Sequence, residues 1–275
     1  MSRMVYTEVE LLFGVNLHKE LFVVGPALRG AFGKSLRRGS CVKDRVAKCP
    51  TCELFKNCPY SLVFESHERE GAVPWTPGIV FEWDACDEGV RVVLRVFGNL
   101  NEVLDVSVKA SAKMKVFVSD QEPPQEPERI TVSKPIVLEP TSAHDIPKKI
   151  AVKLITPLNL KHDGKQLRNI DLRVLAQTIQ RRVDSLQSFF GDGYTSHRTT
   201  GDEELGNIVE SQLAMHNEQR FSFRQRQSHP LNGLVGSFVV QNPSPKLFSL
   251  LKFAEVTHVG KGLSFGQGRI KSSEV

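Results

Sequence analysis

The stretch GIVFEWDACDEGVRVVLRVF, residues 78–97, decides how the first half of the chain is read. Residues 78–85 and 90–97 are rich in β-branched and aromatic side chains, and Asp87, Glu88 and Gly89 separate them. Two such runs across a short glycine-containing break predict a β-hairpin. Upstream, residues 4–13 (MVYTEVELLF) read as a strand, and Gly25-Pro26 opens a helix. Its Ala27, Leu28, Ala31, Phe32 and Leu36 form an apolar stripe at helical spacing, and Gly39 ends it. Downstream, Asn99 caps a helix over residues 100–112, and residues 114–118 read as a returning strand.

The resulting order is β-α-β-β-α-β, the ferredoxin-like motif, with a cysteine-rich loop (residues 41–58) inserted after the first helix. The segment DQEPPQEPE, residues 120–128, has no apolar periodicity and reads as a linker, so the first domain is set at residues 1–128. Residues 130–138 are strand-like and fit either domain. Residues 150–158 start a second cycle in the domain of residues 129–275. A helix over residues 171–189 follows, with Leu172, Leu175, Ala176, Ile179, Val183 and Leu186 on one face. Residues 219–226 and 234–241 read as paired strands, Asn242-Pro243-Ser244-Pro245 opens a last helix, and residues 256–270 close the domain. The expected fold is α+β, with two tandem ferredoxin-like domains.

Length fits this division, since 275 residues suit two domains better than one. With 40% hydrophobic and 24% charged residues the chain can bury a core, which excludes wholesale disorder. The net charge of +5 is unevenly spread. Residues 25–48 hold seven basic residues against Asp44, and residues 148–182 hold nine against Asp163 and Asp171. Residues 53–88 run the other way, with eight acids against Lys56 and Arg69. Such segregation suits a polyanion bound on one face, the alternative being solvated surface charge. The amino terminus lacks the features of a signal peptide, and no apolar run reaches membrane-spanning length, so a cytoplasmic location without membrane partners is expected.

Three constellations carry chemistry. The first is HVGKGLSFGQGRI, residues 258–270, in which Gly260, Gly262, Gly266 and Gly268 surround Lys261, Ser264 and Arg269, with His258 beside them. Glycines let backbone amides approach a phosphate chain while Lys261 and Arg269 supply charge, which predicts an anion-binding loop; a glycine-rich turn in an edge strand is the alternative. The second is RFSFRQRQ, residues 220–227, where Arg220, Arg224 and Arg226 share one face of the predicted strand and can line an RNA groove or form an exposed charged face. The third is the set Cys41, Cys49, Cys52 and Cys58, separated by seven, two and five residues. Four thiolates in one loop suit a structural zinc ion, with an iron–sulfur cluster or unmetallated thiols as alternatives. Cys86 stands outside the set.

Together these segments resemble the RAMP superfamily, and within it the CRISPR-associated endoribonucleases that process precursor RNA. The resemblance rests on GKGLSFGQGR near the carboxy terminus, TPLNLKHDGK (residues 156–165), the Arg181-Arg182 pair, RFSFRQRQ and GLVGSF (residues 233–238). GPALRGAFGKSLRR (residues 25–38) and CPYSLVFE (residues 58–65) extend it into the first domain. It implies a protein that binds CRISPR repeat RNA along or between its domains, with Arg29, Arg181 and Arg182 joining the RNA-contacting residues above. Other CRISPR-associated proteins are further expected partners, and an inactive RNA-binding subunit of a CRISPR effector or integration complex is the rival reading.

The reaction implied needs no cofactor. The ribose 2′-hydroxyl attacks the adjacent phosphate, leaving a 2′,3′-cyclic phosphate and a 5′-hydroxyl. A base, an acid for the leaving oxygen and a cation for the phosphorane suffice. Many relatives carry a histidine in or just after the first helix, whereas this chain has none between Gly25 and Tyr60. His18 is the nearest candidate base or a plain loop residue, and Lys34, Arg37 and Arg38 are candidates for electrostatic stabilisation.

Overall fold

Strand β1 (Met4–Phe13) shows why the first cycle folds as it does. Val9, Leu11 and Phe13, spaced by two, are fully buried, while Glu8 and Glu10 on the opposite face pair with Arg95 and Arg91. The computed structural model describes residues 3–14, 21–42, 49–65, 74–98, 101–117, 124–141, 146–191, 204–222 and 227–275. They divide into an N-terminal unit, residues 4–137 with 185–194, and a C-terminal unit, residues 1–3, 138–184 and 195–275.

In the N-terminal unit, α1 (Leu21–Ser40) follows β1. It begins before Gly25-Pro26, and Leu28, Phe32 and Leu36 lie in the core with Ile79, Phe81, Val92 and Leu94. The hairpin is β2 (Ile79–Cys86) and β3 (Gly89–Phe97), with Cys86 opposite Gly89 across Asp87-Glu88. Helix α3 (Asn101–Ala112) lies against α1 and β1. The sheet order is β2-β3-β1-β4.

The fourth strand is not the expected one. β4 (Arg129–Val132) pairs antiparallel with residues 9–12 of β1, and the short β5 (Ile136–Leu138) also joins β1. The sequence around Met114 alternates like a strand, but its buried Met114 and Val116 fill the core below α3. Among the described residues it makes only the bridge from Val116 to Gln125. The N-terminal unit accordingly includes residues up to 137.

In the C-terminal unit, β6 (Lys149–Leu158) and β12 (Gly233–Gln241) are the central strands of the order β13-β6-β12-β9. The long helix α4 (Leu172–Phe190) starts at Asp171, whose Oδ1 accepts from Arg173 N at 2.8 Å and Val174 N at 3.1 Å. Leu175, Ile179, Val183 and Leu186 are its buried stripe, and its residues from 185 onward group with the N-terminal unit. Helix α5 (Pro245–Thr257) is capped by Ser244, which accepts from Leu247 N at 3.1 Å, and β13 (Ile270–Glu274) closes the sheet.

Here too one expected pairing is corrected. The strand beside β12 is β9 (Asn207–His216), while residues 219–222 (β10) and 227–230 (β11) form a separate two-stranded ribbon. β9 is an edge strand with no buried residue, so it lacks the apolar alternation that identifies half-buried strands. Each unit thus has the strand order of a ferredoxin-like fold, repeated along the chain. Among the described residues no helix is long and apolar enough to cross a membrane.

Candidate nucleic-acid interface

The glycine-rich segment is built from its own hydrogen bonds. After α5 the chain turns at His258 (φ 59°), and Gly260, Gly262, Gly266 and Gly268 all have φ between 73° and 96°. A Cβ on Gly268 would stand 1.8 Å from the carbonyl oxygen of Val259, so only glycine allows the two strands of the loop to meet there. Across that contact Val259 N donates to Gly268 O at 3.0 Å, and Gly268 N donates to Pro157 O at 3.0 Å. Lys261 N reaches Asn159 O at 3.0 Å, and Arg269 N donates to Thr156 Oγ1 at 2.9 Å. Gln267 Nε2 adds a bond to Leu231 O at 2.7 Å.

This changes the expected chemistry of the loop. The amides of Val259, Lys261, Phe265, Gly266, Gln267, Gly268 and Arg269 are spent within the chain. The Gly260, Gly262 and Leu263 amides donate to no acceptor among the described residues, and Lys261 between them is exposed. The loop therefore offers a few amides and one projecting ammonium group at its tip. Gly266 and Gly268 are buried, Ser264 and Arg269 are half-buried, and His258 is fully buried. His258 serves as the C-cap of α5, its N donating to Ala254 O, in keeping with a structural place for it.

Beside the tip lies a feature that sequence reading did not single out as a site. Two residues after Asn159, β7 (Lys161–His162) and β8 (Lys165–Gln166) form a small hairpin around Asp163 (φ 48°) and Gly164 (φ 76°). Positive φ at both central residues is the type I′ turn that an Asp-Gly pair favours, and that pair was the available signal. Lys161, His162, Lys165 and Arg168 are all exposed. With Lys261 held against Asn159, they gather the positive charge of one end of this unit.

The arginine pair of α4 separates. Arg181 is exposed, with Nε donating to Gln177 O at 3.2 Å. Arg182 is 4% exposed, and its Nε donates to Thr257 O at 3.2 Å, tying α4 to the end of α5. Burial pulls its guanidinium pKa down to about 9. In this arrangement Arg182 packs inside its unit instead of projecting into solvent. Arg220 lies in β10 of the two-stranded ribbon, and Arg224 and Arg226 lie outside the described residues.

In the N-terminal unit, Lys34 and Arg38 are exposed on α1. Arg29 lies 4.8 Å from the ring centroid of Phe64 and Arg37 lies 5.5 Å from that of Tyr60. Both aromatic residues belong to α2 (Pro59–Phe64), so these cations face aromatic rings as well as solvent. His18 lies outside the described residues.

The four cysteines surround a single small cavity of about 30 Å³, together with Tyr60 and Ser61. All five cysteines of the chain are free, and among the described residues no group of three or more His, Cys, Asp or Glu side chains is arranged to hold a metal ion. Burial, followed by Glu65, pushes the Cys49 thiol up; Arg37 opposes this, and Cys58 and Cys41 add to it.

Comparison with known proteins places these features. Residues 152–270 match the family model of the CRISPR-associated endoribonuclease Cas6, and residues 10–118 match a second model, of an N-terminal domain. No curated protein sequence matches. Among solved structures, a Cas6 product complex is similar with a TM-score of 0.61 and 17% identity, covering 98% of this chain and 100% of that one. Thermus thermophilus Cas6 is similar with a TM-score of 0.52 and 13% identity, covering 99% of this chain and 100% of that one. A RAMP protein binding different RNA substrates has a TM-score of 0.50 and 14% identity, covering 98% and 100%. Such identities speak for a shared fold. Residues 152–270 thus match the Cas6 family model, and along nearly its whole length the chain shares the fold of the Cas6 structures.

Proposed function

We propose that this protein binds CRISPR repeat RNA and cuts the precursor transcript once per repeat. The observation that carries the reading is the Cas6 match over residues 152–270, the unit in which Lys161, Lys165, Arg168 and Lys261 stand exposed around the glycine loop. Lysines on a hairpin and a loop tip suit a phosphate backbone, which they engage as mobile point charges without reading base identity. Arg181, Arg220 and the segment carrying Arg224 and Arg226 extend the RNA-contacting set.

Cleavage follows from what ribose supplies. The 2′-hydroxyl loses its proton to a base and attacks the neighbouring phosphorus. The P–O5′ bond breaks, and the departing oxygen gains a proton. The products are a 2′,3′-cyclic phosphate and a 5′-hydroxyl, with no metal in the balance. Lys34 and Arg38, exposed on α1, are the proposed cations for the phosphorane, with Arg37 held near them against Tyr60. His18 is the proposed base. The cleaved RNA remains bound as a guide, held by phosphate contacts that cleavage leaves in place.

The test incubates the full chain with its own locus's repeat RNA in excess EDTA, beside the same RNA with a 2′-deoxy substitution at the cut site. Cleavage of the first alone supports the reading. Tight binding without cleavage of either RNA refutes the nuclease and leaves an RNA-holding subunit.

A further inference from the structure

We propose that Cys41, Cys49, Cys52 and Cys58 together bind one structural zinc ion that fastens the end of α1 to α2. Three different local structures bring these residues to one cavity. Cys41 follows α1 directly, with its N donating to Arg37 O at 2.9 Å. Cys49 and Cys52 stand at the two ends of a tight turn, closed by Cys52 N donating to Cys49 O at 3.0 Å. Cys58 is the N-cap of α2. All four line the same cavity of about 30 Å³, while Cys86 is exposed at the end of β2 and takes no part in it.

The segment also lacks the usual means of holding a fold. None of residues 49–58 is buried, and Leu54 and Val42 are largely exposed. Short backbone turns organise it: Phe55 N to Cys52 O, Asn57 N to Leu54 O, and Cys58 N to Leu54 O. Ser61 Oγ additionally donates to Cys58 O at 3.1 Å. Without buried apolar surface, such turns do not offset the entropy of ordering the chain, whereas a metal–thiolate centre does.

The donor set selects the ion. Four soft thiolates favour zinc or an iron–sulfur cluster over magnesium or calcium, and a single ion with no redox demand fits a closed structural centre. As the side chains stand, no three such groups are arranged as ligands. The cavity lies between them, and rotation about each Cα–Cβ bond carries a thiol between staggered positions without moving the backbone. The consequence reaches α1, because Tyr60, against which Arg37 packs, follows Cys58 by two residues and lines the same cavity.

The experiment measures metal in the purified full chain by mass spectrometry while a mercurial reagent blocks thiols. One zinc released per chain as four thiols react is expected. Anaerobic replacement with Co²⁺ should give a thiolate charge-transfer band and the visible bands of tetrahedral cobalt. Cys49→Ser and Cys52→Ser should lose zinc, and Cys86→Ser should keep it. Should the serine variants fail to fold, the cobalt spectrum of the unaltered chain still decides. Absence of zinc and of a cobalt spectrum, iron with sulfide in its place, or a disulfide among the four overturns the proposal. Because the readout is metal content, its outcome is separate from whether the protein binds or cuts RNA.

Discussion

Gly268→Ala and Gly164→Ala make a matched pair. Both glycines have left-handed backbone, φ 73° and 76°, so alanine brings a strain of about 1–2 kcal/mol at either site. At Gly164 nothing lies within 4 Å of the added methyl group. Alanine also reduces the freedom of the unfolded chain, which returns about 0.4–1 kcal/mol. The net loss at Gly164 is therefore about 1 kcal/mol. At Gly268 the methyl group would meet Val259 O at 1.8 Å, so the loop must open. Opening breaks Val259 N to Gly268 O and Gly268 N to Pro157 O, each contributing about 1 kcal/mol. The expected loss at Gly268 is thus about 3 kcal/mol. With each kcal/mol lowering the midpoint by about 4 °C for a unit of this size, calorimetry of the full chain should show a drop near 12 °C against one near 4 °C. RNA binding should fall with Gly268→Ala even below the melting range, since the Lys261 tip loses its support. Equal midpoints for the two variants would refute the argument that closure of the chain on itself fixes this glycine.

Replacing Lys161, Lys165 and Lys261 singly by alanine should leave the melting midpoint unchanged, since all three are exposed, and each should reduce the slope of log affinity against log salt by about 1. An unchanged slope in titrations at several salt concentrations would remove that lysine from the RNA interface. Arg182→Met should keep RNA affinity while lowering stability by about 1–3 kcal/mol, because the buried Thr257 carbonyl loses this donor; loss of RNA binding without loss of stability would return Arg182 to the interface. Arg95 lies between Glu8 and Glu82, and these carboxylates outweigh burial to hold its guanidinium above its usual pKa. Arg95→Met should destabilise the N-terminal unit by about 3 kcal/mol, as it removes the cation held between Glu8 and Glu82. Denaturant unfolding of the variant beside the wild type checks this, and an unchanged midpoint would refute it.

What the sequence determined by itself was set by local periodicity and by short motifs. Val9, Leu11 and Phe13 mark β1, the stripe from Leu172 to Leu186 marks α4, and Asp171 and Ser244 sit where helix caps are needed. The glycine loop, the basic segments and the cysteine spacing were equally legible, because the chemistry of each lies in adjacent residues. Tertiary structure decided everything that depends on partners distant in the chain. β4 replaced the run around Met114 because pairing with β1 is a long-range choice, and β9 was silent because an exposed edge strand needs no apolar face. Two adjacent arginines on α4 look alike in sequence, yet a step of one residue turns a side chain by about 100° around a helix. That rotation left Arg181 in solvent and put Arg182 beneath α5 against Thr257, while seven loop amides went to the chain itself.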